Sequence, residues 1–148
     1  MTVVADSAPL IAAANRGDDF HRLALSLVRA AGRELIIPDP VVVEVDWLLR
    51  DRGGPGPAGG FLASLVAGSY RRATLSPSIF ARATEIDRGR ADLDLGLVDA
   101  SVMAVAEATD SVVLTFDFTH FRAAPPARGR AWRLMVDESE YERWRGRR

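Results

Sequence analysis

The chain has 148 residues and a formal net charge of −1; 48% of its residues are hydrophobic and 26% charged, the balance expected of a single folded domain spanning residues 1–148. It has no cysteine, and all 19 of its basic side chains are arginine, which excludes thiol nucleophiles, disulfides, cysteine–zinc sites, a P-loop lysine and Schiff-base chemistry. The first residues carry no basic leader and no apolar run approaches the roughly 18 residues of a membrane span, so the expectation is a cytoplasmic protein without a membrane partner.

Residues 2–5 form a short β-rich run that ends at Asp6. Ser7 is read as the cap of a following helix that carries Pro9 in its first turn. Gly17-Asp18 breaks this helix. A second one follows with Phe20, Leu23, Ala24, Leu27, Val28 and Ala31 on one face, and Gly32 ends it. Leu35-Ile36-Ile37 is a second strand. Asp39 as N-cap with Pro40 at the first helical position opens a third helix. Val41, Val45 and Leu48 share a face of this helix with Glu44, so the carboxylate is expected to point inward with the apolar stripe.

Residues 53–60 read Gly-Gly-Pro-Gly-Pro-Ala-Gly-Gly, a flexible loop by composition. The G-x-G-x-x-G it contains follows a helix and holds prolines, so a dinucleotide-binding turn is rejected. Helix is expected to resume over residues 61–67, with a short strand over 70–75 carrying Arg71 and Arg72. Ser76-Pro77 starts a further helix, to about Gly89. Between Gly96 and Ala106 lies a nearly unbroken apolar run interrupted by Asp99 and Ser101. It reads as a buried helix with Asp99 in the first turn, where the helix dipole favours a negative charge. Residues 111–116 are a buried-type strand closed by Asp117, with a short turn or helical piece over 118–121 and a loop over 123–129. A last strand is expected over 131–136. Asp137-Glu138-Ser139-Glu140 resembles a capping box for a terminal helix ending in Arg143, Arg145, Arg147 and Arg148. Alternating strands and helices imply a three-layer α/β/α fold around a mainly parallel sheet.

Four acids break local rules: Asp6 and Asp117 at strand ends, Glu44 on an apolar helix face, Asp99 in a buried helix. In an open parallel sheet the carboxyl ends of the strands share one edge, where ligands bind. Carboxylates converging there repel one another unless a cation lies between them. Oxygen-only ligation suits Mg²⁺ or Mn²⁺ over Zn²⁺, and the chemistry such a site favours is phosphodiester hydrolysis. Asp94 and Asp92 could line the same site, although a solvated loop is the plainer reading. His120 is expected to pack or cap beside Phe121. Arg71, Arg72 and the terminal arginines are candidates for steering a phosphodiester substrate, against the plainer reading of a solvated surface.

The segments Val3-Val4-Ala5-Asp6-Ser7-Ala8, Pro38-Asp39-Pro40-Val41-Val42-Val43-Glu44-Val45, Leu95-Gly96-Leu97-Val98-Asp99-Ala100-Ser101 and Leu114-Thr115-Phe116-Asp117-Phe118-Thr119-His120-Phe121 resemble, in order, those of the PIN domain. More narrowly they are similar to VapC-type toxins of bacterial toxin–antitoxin pairs. The resemblance implies a Mg²⁺- or Mn²⁺-dependent endoribonuclease, usually a homodimer, neutralised by a VapB-type antitoxin. It assigns catalysis and metal binding to Asp6, Glu44, Asp99 and Asp117, with Ser7 and Thr115 as supporting hydroxyls. Phe118 departs from the arginine many relatives carry there, which puts a local phosphate contact in doubt. A phosphoacceptor receiver would need a paired acid and a lysine, and a dehalogenase-type phosphatase an acid where Ala8 stands. The rival that remains is a catalytically inactive PIN-like module that binds protein.

Overall fold

A computed structural model describes residues 1–147; Arg148, the last of the terminal arginines, lies outside the described residues. Four short strands, β1 (Val3–Ala5), β2 (Leu35–Pro38), β3 (Arg71–Ala73) and β4 (Val112–Leu114), form one sheet in the order β3-β2-β1-β4. All three pairings are parallel, with Val4 opposite both Ile36 and Val113. The fold is α/β, with helices flanking this sheet. β1, β2 and β4 are buried along their whole length, which is why they read as apolar runs without alternation.

Helices α1 (Ser7–Ala14), α2 (His21–Ala31), α3 (Asp39–Gly53) and α4 (Pro55–Val66) pack as one group; α5 (Pro77–Gly89) and α6 (Gly96–Thr109) pack as another. Strand order reverses after β3, and the chain returns through α5 and α6 to place β4 on the far side of β1. The core is continuous from Val4, Ile37 and Leu114 in the sheet to Val41, Val45, Leu49, Val102 and Met103 on the helices. Two small helices, α7 (Phe118–Ala123) and α8 (Glu138–Gly146), complete the chain. No helix among the described residues is long and apolar enough to cross a membrane.

Several local expectations are corrected. The side chain of Asp6, not Ser7, caps α1, by accepting from the Ser7 amide. Asp39 is the first residue of α3 and Pro38 its cap, because β2 continues through Pro38 to pair with Ala73. The glycine–proline stretch is not a loop: α3 runs to Gly53, Gly54 turns the chain at φ +77°, and α4 begins at Pro55. Prolines in a first turn cost no hydrogen bond, and burial of Ala58 and Phe61 anchors the rest. The strand expected over 70–75 shortens to β3, and that over 111–116 to β4. Residues 131–136 form no strand, only one bridge from Leu134 to Val113.

Candidate active site

The sheet places its chemistry where strand order reverses. β1 and β4 are parallel neighbours, so the residues after them emerge side by side at the carboxyl edge. Asp6 follows β1 and is 4% exposed. Its Oδ1 accepts from the Ser7 amide at 2.8 Å, and its Oδ2 accepts from the Thr115 hydroxyl at 2.8 Å. Thr115 Oγ1, fully buried, in turn accepts from the Asp117 amide at 2.9 Å. One hydroxyl thus ties the end of β1 to the end of β4. Asp117 caps α7 by accepting from the His120 amide at 3.0 Å.

Asp99 reaches the same place from the first turn of α6, whose start is set by Gly96 at φ +78° donating its amide to Asp87 at 3.0 Å. His120 joins the two helices: its Nδ1 lies 2.9 Å from Asp99 Oδ2 and 2.8 Å from Asp117 Oδ2. Ligand atoms of Asp99, Asp117 and His120 all lie within 4.8 Å of one another. Glu44, half-buried on α3, stands outside this trio but within reach of the Asp99 charge and beside Ser7. Ser7 Oγ is itself buried and makes no regular hydrogen bond.

Burial, then the charge of Asp99, pushes the Asp6 carboxyl up to about 7, against the opposing pull of Thr115 and Ser7. Glu44 is raised by burial and by Asp99. Asp99 is raised by burial and by Asp117, with His120 pulling it back. Burial lowers His120, but its contacts with Asp99 and Asp117 outweigh this and hold the imidazole above its usual range. Among the described residues no arginine forms an ion pair with any of the four carboxylates; the arginines pair with Asp39, Asp46, Glu34, Glu85, Glu107, Asp110, Glu138 and Glu142 instead. Four acids held close without a guanidinium, together with an orphaned buried hydroxyl, are a donor set that fits a divalent cation.

The remaining candidates lie elsewhere. Asp94 is exposed in a left-handed turn at φ +48°, and no hydrogen bond or ion pair joins it or Asp92 to the four carboxylates among the described residues. Arg71 donates to the Arg33 carbonyl and pairs with Glu34, while Arg72 lies 3.8 Å from Asp39. Phe118 is buried and meets Tyr141 edge-on, within an aromatic cluster that includes Phe20 and Phe116. A cavity of about 640 Å³ is lined by Arg82, Glu107, Asp110 and Trp132 at the opposite end of α6 from Asp99. His120 was not among the candidates read from sequence. The signal available was its i, i+3 spacing from Asp117, which puts both side chains on one side of a single helical turn.

A family model described as the PIN domain matches residues 3–125. Ribonuclease VapC26 of Mycobacterium tuberculosis is 24% identical over 128 residues, covering 86% of this chain and 95% of that protein. Among solved structures, M. tuberculosis VapC20, described as a sarcin–ricin loop cleaving toxin, aligns with a TM-score of 0.69 at 21% identity, covering 74% of this chain and 85% of that one. A toxin–antitoxin complex from Klebsiella pneumoniae aligns with a TM-score of 0.65 at 18% identity over 84% of this chain and 93% of that one. VapBC2 of Rickettsia felis, bound to a DNA fragment from its promoter, gives 0.64 at 15% identity, with 84% and 94% covered. At these identities the structural likenesses speak to the fold.

Proposed function

The chain belongs to the PIN-domain family, and from that premise we propose that it is a Mg²⁺- or Mn²⁺-dependent endoribonuclease, the toxin of a type II toxin–antitoxin pair, working as one domain in the cytoplasm. The observation that carries this reading is the meeting of Asp6, Asp99 and Asp117 at the β1–β4 edge with no arginine to neutralise them. Similarity to a curated ribonuclease across most of the chain supports RNA as the substrate.

In this reading Asp6, Asp99, Asp117 and Glu44 hold the cation. When bound, it lowers the pKa of a coordinated water and offsets charge on the scissile phosphate. Thr115 keeps Asp6 and the Asp117 backbone in fixed relation through its one hydroxyl. Burial of Asp6 excludes water from one side of the site and keeps its carboxyl poised near neutrality. Ser7 Oγ, buried beside Glu44, supports that carboxylate on its side of the site.

Partners follow from surfaces. The apolar groove of about 280 Å³ lined by Leu10, Val28, Phe61 and Tyr70, between α1, α2 and α4, is the proposed seat of a VapB-type antitoxin. Val43 and Trp47, 69% and 65% exposed one turn apart on α3, and Phe80 on α5 are the proposed homodimer surface. Arg72, in the middle of β3 and 3.8 Å from Asp39 just past the end of β2, is the better placed of the paired arginines to meet RNA.

The test is incubation of purified protein with a mixed pool of ribosomal, transfer and messenger RNA. Discrete cleavage products are expected with Mg²⁺ or Mn²⁺, none with chelator, and none with Asp99→Asn. Products that survive chelation, or an Asp99→Asn protein of full activity, would remove the acids from catalysis.

A further inference from the structure

We propose that His120 is a direct ligand of the metal ion, so that the site is a mixed nitrogen–oxygen centre with a preference for Mn²⁺ over Mg²⁺. This inference rests on the metal-dependent reading above and goes beyond it by adding a nitrogen donor to an all-oxygen set.

Two carboxylate oxygens from different elements, Asp99 Oδ2 on α6 and Asp117 Oδ2 at the start of α7, converge on the same imidazole atom at 2.9 and 2.8 Å. Nδ1 carries at most one hydrogen, so it cannot give both carboxylates a well-aligned bond at once. Three donor atoms gathered around a point are, however, what a cation requires. Neighbouring ligands on an octahedral ion with bonds of about 2.1 Å sit about 3 Å apart, and both observed spacings are close to that. Backbone geometry fixes the imidazole in this position. The His120 amide is already committed to Asp117 Oδ1 at 3.0 Å, so ring and carboxylate are held on the same turn.

A second feature, outside the trio, also calls for a ligand. Ser7, 4% exposed, keeps its Oγ buried and without a regular partner on the Glu44 side of the site. Both oxygens of Asp6 already accept hydrogen bonds, from the Ser7 amide and Thr115. Asp99, Asp117 and His120 bring three donor atoms together, and Asp6 contributes charge and the lone pair left on each of its two oxygens. Imidazole nitrogen suits first-row transition ions, whereas Mg²⁺ takes oxygen ligands.

The experiment is pulsed electron paramagnetic resonance of Mn²⁺ bound to the full chain, uniformly ¹⁵N-labelled at histidine or unlabelled. The other histidine, His21 at the start of α2, has its Nδ1 2.9 Å from the Ala12 carbonyl. The expected result is a histidine nitrogen coupling that changes isotope with the label and disappears in His120→Gln. Calorimetry should show that variant losing about tenfold in Mn²⁺ affinity, with Mg²⁺ affinity nearly unchanged. Mn²⁺ bound at one site per chain without a histidine coupling would overturn the ligand assignment while leaving the metal-dependent reading intact. Failure to bind Mn²⁺ at all would remove both.

Discussion

Thr115 concentrates the site's dependence on single residues. Its hydroxyl donates to Asp6 and accepts from the Asp117 amide in a fully buried position. Thr115→Val keeps the shape and removes both bonds, leaving a carboxylate oxygen and an amide without partners at about 1–3 kcal/mol each. Chemical denaturation should show a loss of about 2–4 kcal/mol, mostly recovered by Thr115→Ser. Asp99→Asn should behave in the opposite way. It removes a half-buried charge facing Asp117 and Glu44, so the metal-free protein should melt no lower than wild type at pH 8, while the rise in melting temperature on adding Mn²⁺ disappears. A variant that melts lower but still responds to Mn²⁺ would contradict this. The four acids were readable because each sat where a charge is costly or at a strand end. His120 was not: its neighbours in sequence are apolar or small, and its partner Asp99 is 21 positions away. Only the packing of α6 beside β4 brings them together.

Helices were easier to read than strands, for a physical reason. Helix starts carry local chemistry, as at Ser76, which accepts from the Ile79 amide, and Asp137, which accepts from the Glu140 amide. Strand identity depends on a partner elsewhere. Residues 131–136 have the pattern of a strand, yet they meet β4 only through Arg133 and Met135 bonding to Val113. The glycine-rich start of α4 misled for the converse reason, since packing of Ala58 and Phe61 outweighs poor intrinsic propensity. The last helix shows how thin such anchoring can be. α8 has no fully buried residue; Tyr141 joins it to Phe20, Phe116 and Phe118, with Arg122–Glu138 as a surface pair. Tyr141→Ala should raise amide hydrogen exchange throughout α8 at least about tenfold while α6 stays protected. Equal protection in the variant would show that other contacts hold the helix.

For the molecule as a whole, charge is the variable that couples stability to function. The Asp6 carboxyl is raised from 3.8 to about 7, and Glu44, Asp99 and His120 are raised as well. A raised group favours the folded state while protonated, so this stability is complete below the unfolded pKa and lost as pH climbs through the folded one. The window set by Asp6 runs from about pH 4 to about pH 7. Glu107 and Asp137 are lowered and act only at the acid end, where their contribution is lost on acidification. Metal-free protein should therefore melt at least about 5 °C lower at pH 8 than at pH 5.5, and saturating Mn²⁺ should close most of that gap at pH 8. The exposed pair Val43 and Trp47 gives a separate expectation: sedimentation should find a dimer that Trp47→Glu converts to monomer.

The claim on which all of this rests is that the buried carboxylates stay together as the seat of a divalent ion. Calorimetric titration of Mn²⁺ into metal-free protein at pH 7, repeated in buffers of different ionisation enthalpy, tests it most directly. One ion should bind per chain with net release of protons, since the Asp6 carboxyl and the His120 imidazole are both held above their ordinary ranges and must be deprotonated to ligate, and Asp6→Asn should bind far more weakly and release fewer. No binding heat at millimolar Mn²⁺, or identical binding by Asp6→Asn, would contradict the account.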